Sequence, residues 1–481
     1  MDSLKVKTAK NLGIVYVANL ITTIFGTVAS IILARLLTPG DFGLIALSGI
    51  IIAVITTFVQ DLGFNAALIQ RQKNIEEAAN IVFYTTIAIN FFLFSVILLI
   101  APFAADFFHE EKVTDIIRIS TLGLIIGAFS AGHSGLMIKK LEYGAVMKIS
   151  IISSVLSSSL SVILAFLGFS YWSLVYGSLL VAPLTVILYW QASSWRPKIS
   201  YNKKIAREMI GFGGLVTVIN ILWFFISEID KLFIGKFLNT YSLGIYKMGY
   251  NWGLIGANNI AGVLFGVLFP TFSTIQNEKK KIWDAYLKAF KYTNLLTIPI
   301  SLGTIAIAPE FVTFILGEKW IESIPIIQIF AVYGLFYSAG IPSASVFLAL
   351  GKAKLAAKIT AVQTFFVLLF IYPSLLWQGT AGVALCLTAA MMIIYFLIKS
   401  MLACSILDAK FSELIKSITG SIIASVIMFF CIIWVKMLIG SSFFTLFIFI
   451  FIGILIYSMI IFLIDREVFR EVKEILFTLK K

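Results

Sequence analysis

The chain has 481 residues, of which 60% are hydrophobic and 13% charged, and its mean hydropathy is +1.00. This composition excludes a soluble globular protein, because most of the chain has to be surrounded by lipid. The 37 Lys and Arg against 24 Asp and Glu give a net charge of +13. These charges form thin clusters at the ends of apolar segments, where anionic lipid headgroups attract them, so we expect membrane lipids as partners and no nucleic acid.

Apolar segments long enough to cross a bilayer, about 20 residues each, follow one another along almost the whole chain. They predict an all-α integral membrane protein with fourteen transmembrane helices. The predicted spans are 11–34, 42–64, 80–105, 116–138, 147–168, 171–191, 209–234, 243–270, 288–316, 322–349, 356–377, 380–403, 415–437 and 442–464.

The chain contains an internal repeat. The stretch Gly13-Ile-Val-Tyr-Val-Ala-Asn-Leu20 returns as Gly214-Leu-Val-Thr-Val-Ile-Asn-Ile221. Further matches follow in the same order, and the offset between the copies grows only from 201 to 210: 32–49 with 233–250, 101–102 with 308–309, 129–132 with 337–340, and 148–150 with 358–360. Two copies of six helices enter the membrane in the same direction, which predicts parallel repeats forming two lobes around a central cavity and favours a transporter.

Lys and Arg set the predicted orientation. With the N-terminus inside, 29 of the 37 fall in segments on the inner side, so both termini are expected in the cytoplasm. The expected domains are an N-lobe at 1–195, a cytoplasmic linker at 196–207, a C-lobe at 208–407, two further helices at 408–465 and a basic amphipathic tail at 466–481. Residues 274–292 also read as an amphipathic helix on the inner surface.

Catalytic chemistry finds little support in the sequence. Cys386, Cys404 and Cys431 are scattered in or beside apolar segments, and His109 and His133 lie apart without metal-ligand spacing. No nucleotide-binding motif occurs, and the outer loops are short. We therefore expect neither an enzyme nor a cofactor or metal, although a membrane-embedded glycosyltransferase or polymerase and a non-transport scaffold stay open as alternatives.

The chain resembles a known family over essentially its whole length, and the residues that carry the resemblance are in its N-terminal part. Its residues are the run Leu33-Ala-Arg-Leu-Leu-Thr-Pro-Gly-Asp-Phe-Gly43 and the run Asp61-Leu-Gly-Phe-Asn-Ala-Ala-Leu-Ile-Gln70, after a basic N-terminus and Asn19. They look like the bacterial polysaccharide exporters of the multidrug/oligosaccharidyl-lipid/polysaccharide flippase superfamily. The resemblance implies a flippase of the bacterial cytoplasmic membrane. It also implies undecaprenyl-diphosphate-linked oligosaccharide as the substrate, and polysaccharide polymerases and glycosyltransferases as partners.

Such a substrate carries a diphosphate, so cations near helix ends are the candidates to bind it, because burying them in a membrane is otherwise costly. Arg35 and Lys236 are repeat-equivalent, and Arg can grip a phosphate with two hydrogen bonds. Snorkelling to the headgroups is the alternative interpretation. The candidate diphosphate ligands are Arg35, Arg118, Lys231, Lys236 and Lys247.

Acidic, amide and aromatic residues supply the other candidates. Glu228, Asp230 and Asp61 could couple transport to protons or sodium, or Glu228 and Asp230 could simply neutralise nearby lysines. The repeat partners Asn19 and Asn220, with Tyr246 and Trp252, are candidates to bind sugar, with helix packing and interfacial aromatic belts as the alternatives. An acidic, aromatic cavity would instead favour a cation-coupled multidrug exporter of the same fold.

Overall fold

The computed structural model describes residues 2–59, 64–200 and 202–465, and all regular elements within these ranges are helical. The α-helices of the N-terminal half are α1 (Asp2–Leu36), α2 (Pro39–Val59), α3 (Phe64–Gln70), α4 (Ile75–Phe108), α5 (Lys112–Ser120), α6 (Leu122–Ala128), α7 (Ala131–Lys139), α8 (Tyr143–Phe166), α9 (Trp172–Leu179), α10 (Ala182–Ala192) and α11 (Lys203–Phe237).

The remaining α-helices are α12 (Thr240–Gly253), α13 (Ile255–Thr274), α14 (Lys279–Glu310), α15 (Ile324–Ala349), α16 (Ala353–Ala390), α17 (Lys399–Ile406), α18 (Phe411–Ile439) and α19 (Phe443–Ile464). A π-helical segment, Phe311–Leu316, and a 3₁₀ segment, Glu318–Ser323, connect α14 to α15. A second π-helical segment, Met391–Ile398, joins α16 to α17.

Helices dominate because hydrocarbon offers no hydrogen-bond partners, so each backbone group has to be satisfied within its own segment. Polar side chains follow the same rule. The amide of Asn90 donates to the carbonyl of Thr86 at 2.8 Å, and that of Asn294 donates to Phe290 at 2.9 Å, both one turn back in the same helix. Gln328 instead donates to the Ile305 carbonyl at 3.1 Å and ties α15 to α14.

Nine helical segments within the described ranges are long and apolar enough to span a membrane, or ten if the pair Lys112–Ala128 and Ala131–Lys139, bent by 51°, is one span. The all-helical membrane fold predicted from the sequence is confirmed, while the number fourteen stays a prediction. The predicted boundary between spans 356–377 and 380–403 falls on a break inside α16. There Gln378 has φ −140° and Gly379 has φ +55°, a left-handed value that glycine adopts without strain.

The chain divides into two compact units, Met1–Gly244 and Ile245–Lys481. In the first unit, α1 packs along α8, and α11 packs on α2, α3 and α4. In the second, α14 packs on α15 and α18, and α13 packs on α15. The sequence analysis divides the chain differently, by its internal repeat, into two lobes, a linker and two C-terminal helices. That division stays a prediction, because the two units are defined by compactness alone. The predicted tail at 466–481 lies outside the described residues.

Within the first unit, segments that follow the second, fourth and sixth predicted spans contact one another at one end of the helices. Arg71 forms an ion pair with Glu208 at 3.1 Å. Asn80 accepts from the backbone N–H of Lys198 and donates to Ser200, both at 3.0 Å, which fastens the predicted linker to α4. The basic loops of this unit therefore meet at one end of its helices.

The second unit shows the same arrangement. Lys279 at the start of α14 pairs with Asp408 at 2.6 Å, and Lys291 pairs with Asp465 at 2.5 Å. At the other end of α14, Glu310 pairs with Lys436 at 2.5 Å. The assignment of the basic face to the cytoplasm stays a prediction.

The prediction of a separate surface helix at 274–292 is wrong. Residues from Lys279 onward form the first turns of α14, a single helix of 32 residues. Ile282, Tyr286 and Phe290 are fully buried in the core of the second unit rather than facing lipid. The apolar face that suggested an interfacial helix thus packs against protein, and Tyr286 hydrogen-bonds Ser343 at 2.8 Å.

The pair of Lys436 and Glu310 generates a stability prediction. Glu310 is 6% exposed and also accepts from Ser441 at 2.9 Å. Because Lys436→Met leaves a buried carboxylate without its cation, it should destabilise the protein by about 3 kcal/mol. Thermal unfolding in detergent checks this, with Lys279→Met, which breaks an exposed pair, as the control that should change little. An equal loss in both variants would contradict the interpretation.

Candidate functional site

The predicted arginines lie at exposed positions. Arg35 is in the last turn of α1 and Arg118 in the last turn of α5, and both side chains are exposed. Asn19, on α1, is exposed as well, and its carbonyl accepts from the Thr22 hydroxyl at 3.1 Å. Exposure leaves these three side chains able to reach a ligand or the lipid headgroups.

The C-terminal half of α11 carries a group of charged residues. Lys231, 8% exposed, pairs with Glu228 at 2.9 Å and donates to the carbonyl of Ser227 at 2.8 Å. Asp230 is 2% exposed. Glu228 therefore neutralises Lys231, as the alternative to ion coupling in the sequence analysis expected. The roles of these residues in ion coupling and diphosphate binding stay predictions.

Lys236, one turn beyond, is held differently. Its ammonium lies 4.2 Å from the centre of the Phe107 ring and donates to the carbonyl of that residue at 2.5 Å. A cation over an aromatic face is attracted by the ring quadrupole. The side chain is half-buried, so the contact joins the end of α11 to the end of α4 while the charge stays partly accessible.

Three candidates lie on α12 in the second unit. Tyr246 is fully buried, and its ring meets that of Phe330 edge to face at 5.4 Å. Trp252 is 9% exposed, and its indole N–H donates to the sulfur of Met248 at 3.2 Å. Lys247 between them is half-buried. In this conformation both aromatic rings pack against protein, so contact with a sugar would require them to move.

Two predicted residues cannot be placed. Asp61 and the side chain of Asn220 lie outside the described part of the chain. Among the residues that the structure describes, no group of three His, Cys, Asp or Glu side chains is positioned to hold a metal ion.

Sequence reasoning missed Lys399. It is 4% exposed, its ammonium lies 3.8 Å from the centre of the Tyr395 ring, and no carboxylate among the described residues is within ion-pair distance. Its place in the sequence, near the end of an apolar span, suggested an inner-loop charge instead. The available signal was Tyr395, one helical turn earlier and thus on the same helix face.

The surroundings of Lys399 have a counterpart in the other repeat. A Cβ on Gly340 would lie 2.4 Å from the Tyr395 ring, and one on its repeat partner Gly132 would lie 2.9 Å from the Trp195 ring. Next to Gly132, the Arg196 guanidinium lies 5.7 Å from the centre of the Trp190 ring. Each of the two glycines therefore faces an aromatic ring, but the cation near Gly132 lies over a second ring, that of Trp190, rather than over Trp195.

Two apolar grooves open on the first unit. One, of about 380 Å³, is lined by Phe129, Trp190 and Arg196 with neighbouring aliphatic side chains. The other, of about 520 Å³, is lined by residues of α1 and α8, among them Lys148. An apolar wall with a single cation suits the boundary between acyl chains and headgroups.

The fold is that of the transporters of the multidrug/oligosaccharidyl-lipid/polysaccharide superfamily. A solved structure of the lipid II flippase MurJ in an inward closed conformation matches 94% of this chain and 99% of its own, with a TM-score of 0.76 at 16% identity. An inward-facing multidrug resistance transporter of the MATE family matches 80% of this chain and 95% of its own, with a TM-score of 0.60 at 17% identity.

Within that class the family is defined by sequence. The polysaccharide biosynthesis protein family matches residues 32–325, more than half of the chain, and the chain belongs to it. The teichuronic acid biosynthesis protein TuaB of Bacillus subtilis is 28% identical over 63% of this chain, and the match spans 63% of TuaB. The lipopolysaccharide biosynthesis protein WzxC of Escherichia coli is 23% identical over 80% of this chain and 78% of its own length.

The contrast between Lys231 and Lys399 predicts opposite effects on stability. Lys399→Met removes a buried cation that no described carboxylate neutralises, so it should stabilise the folded protein by up to about 3 kcal/mol. Lys231→Met leaves Glu228 without its partner and should destabilise it. Thermal unfolding of the two purified variants measures both signs, and a lower melting temperature for Lys399→Met would mean that this cation has a structural partner.

Proposed function

We propose that the chain is a flippase that moves undecaprenyl-diphosphate-linked oligosaccharide from the inner to the outer leaflet of the bacterial cytoplasmic membrane, for export of surface polysaccharide. The observation that carries the proposal is membership of a polysaccharide biosynthesis family on a transporter fold. Relatives named as a succinoglycan transport protein, ExoT of Rhizobium meliloti, and a probable glycan flippase, Agl15 of Haloferax volcanii, support it. The polymerases and glycosyltransferases of the same polysaccharide are the proposed partners.

The substrate has three parts that need different surroundings. The polyprenyl tail stays in lipid, the sugars need hydrogen bonds, and the diphosphate needs positive charge in a place where water is scarce. We assign the diphosphate to the predicted set Arg35, Arg118, Lys231, Lys236 and Lys247, and we add Lys399. Lys231 is the weakest member because Glu228 already neutralises it.

Lys399 has the strongest physical support within this set. A buried ammonium over an aromatic ring is only partly compensated, because a ring quadrupole replaces an anion poorly. An arriving phosphate would supply the missing negative charge. Burying an ammonium without a counter-ion costs free energy, so such a residue is expected to have a function. An ionisable residue inside a membrane is by default a candidate functional residue.

Sugar binding and coupling complete the proposal. Asn19, Asn220, Tyr246 and Trp252 are proposed to contact the oligosaccharide, and Glu228, Asp230 or Asp61 to couple transport to an ion gradient. Movement would follow alternating access, in which the lobes at 1–195 and 208–407 rock against each other. In this proposal the protein makes and breaks no covalent bond and needs no cofactor.

A multidrug exporter is the second candidate, because a MATE family transporter has the same fold, although with a TM-score of 0.60 against 0.76 for MurJ. A phosphate would favour the protonated ammonium of buried Lys399, whereas the cationic substrates of a drug exporter would disfavour it. The charge at this position therefore favours an anionic substrate.

The test follows the lipid-linked oligosaccharide in cells with and without the gene, using a membrane-impermeant reagent that modifies sugars on the outer leaflet. We expect deletion to trap the intermediate on the inner leaflet and the wild-type gene to release it. Lys399→Met should fail to restore export because it removes the positive charge. Lys399→Arg keeps a positive charge and should restore export in part.

Lys416→Met, which removes a cation from the exposed start of α18, is the matched control and should export normally. Normal outward delivery in the deletion strain, when no redundant flippase is present, would contradict the proposal and favour the drug exporter.

A further inference from the structure

Four aromatic rings follow one another in the second unit and end at Lys399. Phe330, Tyr333 and Tyr337 lie on α15 at spacings of three and four residues, which places them on one face of that helix. The fourth ring, that of Tyr395, belongs to the π-helical segment Met391–Ile398. These four rings are called the aromatic row.

Neighbouring rings of the row lie within contact range of each other. The ring centroids are 5.8 Å apart between Phe330 and Tyr333 and 6.4 Å apart between Tyr333 and Tyr337. Those of Tyr337 and Tyr395 are 6.0 Å apart. The planes of the two tyrosine pairs differ by 27° and 32°, so at these separations the rings are offset, and part of each face stays uncovered by its neighbour.

Gly340 allows the row to pass from α15 to the next element. It follows Tyr337 by three residues on the same face, and a Cβ there would lie 2.4 Å from the Tyr395 ring. The Tyr395 ring therefore occupies the space that a side chain on Gly340 would fill. One turn beyond Tyr395, the ammonium of Lys399 lies 3.8 Å from the centre of that ring. Short π-helical segments such as this one are rare and are frequent at functional sites.

The direction of the row distinguishes it from an interfacial aromatic belt. Such belts collect Trp and Tyr at the headgroup level at each end of the spans. Phe330 and Tyr337 are seven residues apart, which is about 10 Å along the helix axis at 1.5 Å per residue. The row then continues to Lys399, near the predicted inner end of another span. It therefore runs along the helices rather than around them.

The row is anchored at one end and accessible beyond it. Phe330 is fully buried, and its ring centroid lies 4.9 Å from that of Tyr250. Tyr333, Tyr337 and Tyr395 are half-buried, so each keeps accessible surface. A purely structural aromatic cluster would gain more by burying all its rings. Three accessible tyrosines that end at a buried cation instead have the character of a binding surface.

We propose that the aromatic row binds the oligosaccharide of the substrate, with successive sugars on Tyr395, Tyr337 and Tyr333 and the diphosphate at Lys399. This inference deepens the proposed function and rests on it. A pyranose has an apolar face of C–H groups that packs on an aromatic ring, and the tyrosine hydroxyl adds a hydrogen bond to the sugar. The order along the row, first charge and then rings, is the order of diphosphate and sugars in the substrate.

Stacking also sets the specificity of this subsite. Every base can stack on an aromatic ring, which makes such binding tolerant of base sequence. By the same reasoning, a row of tyrosines contacts the faces of sugars rather than the pattern of their hydroxyls. The row therefore accepts oligosaccharides of different composition, while Lys399 requires an anion at one end.

The test compares two synthetic lipids. One is a polyprenyl diphosphate that carries a single hexose, and the other carries a linear tetrasaccharide of the same hexose. Their affinities for the purified protein are measured in detergent by microscale thermophoresis. Because the longer glycan reaches more rings of the row, the wild-type protein should bind the tetrasaccharide lipid about tenfold more tightly.

Tyr333→Leu and Tyr337→Leu each remove a ring and keep an apolar side chain. Each should weaken binding of the tetrasaccharide lipid by about tenfold. Since Tyr333 is the tyrosine farthest from Lys399 in the row, Tyr333→Leu should change binding of the single-hexose lipid by no more than about twofold, which also shows that the variant is folded. Lys399→Met should weaken binding of both lipids by the same factor, because both carry the diphosphate.

Tyr372→Leu is the matched control, because it removes a tyrosine that is 41% exposed on α16 and lies outside the row. It should bind both lipids like the wild type. Tyr337→Phe keeps the ring and loses only the hydroxyl, so it should retain most of the affinity for the tetrasaccharide lipid.

Two results would overturn the sugar-binding row and leave the flippase assignment standing. One is equal affinity of the wild-type protein for the two lipids, and the other is unchanged binding of the tetrasaccharide lipid in both leucine variants. A wild-type protein that binds neither lipid would overturn the row together with the proposed function, because the row depends on a diphosphate at Lys399.

Discussion

The structure depends on one constraint, the absence of hydrogen-bonding partners and counter-ions in hydrocarbon. Backbone groups meet it by forming helices, and buried amides meet it by bonding one turn back, as Asn90 does to Thr86. Buried charges meet it by pairing, as Glu310 does with Lys436 at 2.5 Å. Against this background Lys399, buried on a ring face with no carboxylate near it among the described residues, marks one place where the constraint is left unmet.

The same constraint links fold to function. A transporter for a lipid-linked diphosphate has to offer positive charge inside the membrane. It also has to exclude water from one side of its cavity at a time. In the proposed function, Lys399, buried with no carboxylate within ion-pair distance among the described residues, serves the first need. Lys399 lies at the end of the sixth predicted helix of the second repeat.

The fold class was predictable from the sequence because hydropathy and a repeat at a nearly constant offset are properties of many residues together. The surroundings of individual residues were less predictable from the sequence. Sequence spacing places Glu228 with Lys231, and Tyr395 with Lys399, on the same helix faces. It does not tell whether Tyr246 or Lys399 is buried, because burial depends on neighbouring helices. The helix at the start of α14 was misread for the same reason: an apolar face looks alike whether it meets lipid or protein.

The most direct test of the account uses purified protein in liposomes that contain a fluorescent polyprenyl-diphosphate oligosaccharide. A glycosidase outside the vesicles reports the outer-leaflet fraction over time. The account predicts that the protein lets the enzyme reach substrate from both leaflets, while vesicles with the Lys399→Met variant or without protein stay at the outer-leaflet fraction alone. Equal kinetics in vesicles with and without protein, at a reconstitution level verified by labelling, would contradict the claim that the chain is a lipid-linked oligosaccharide flippase.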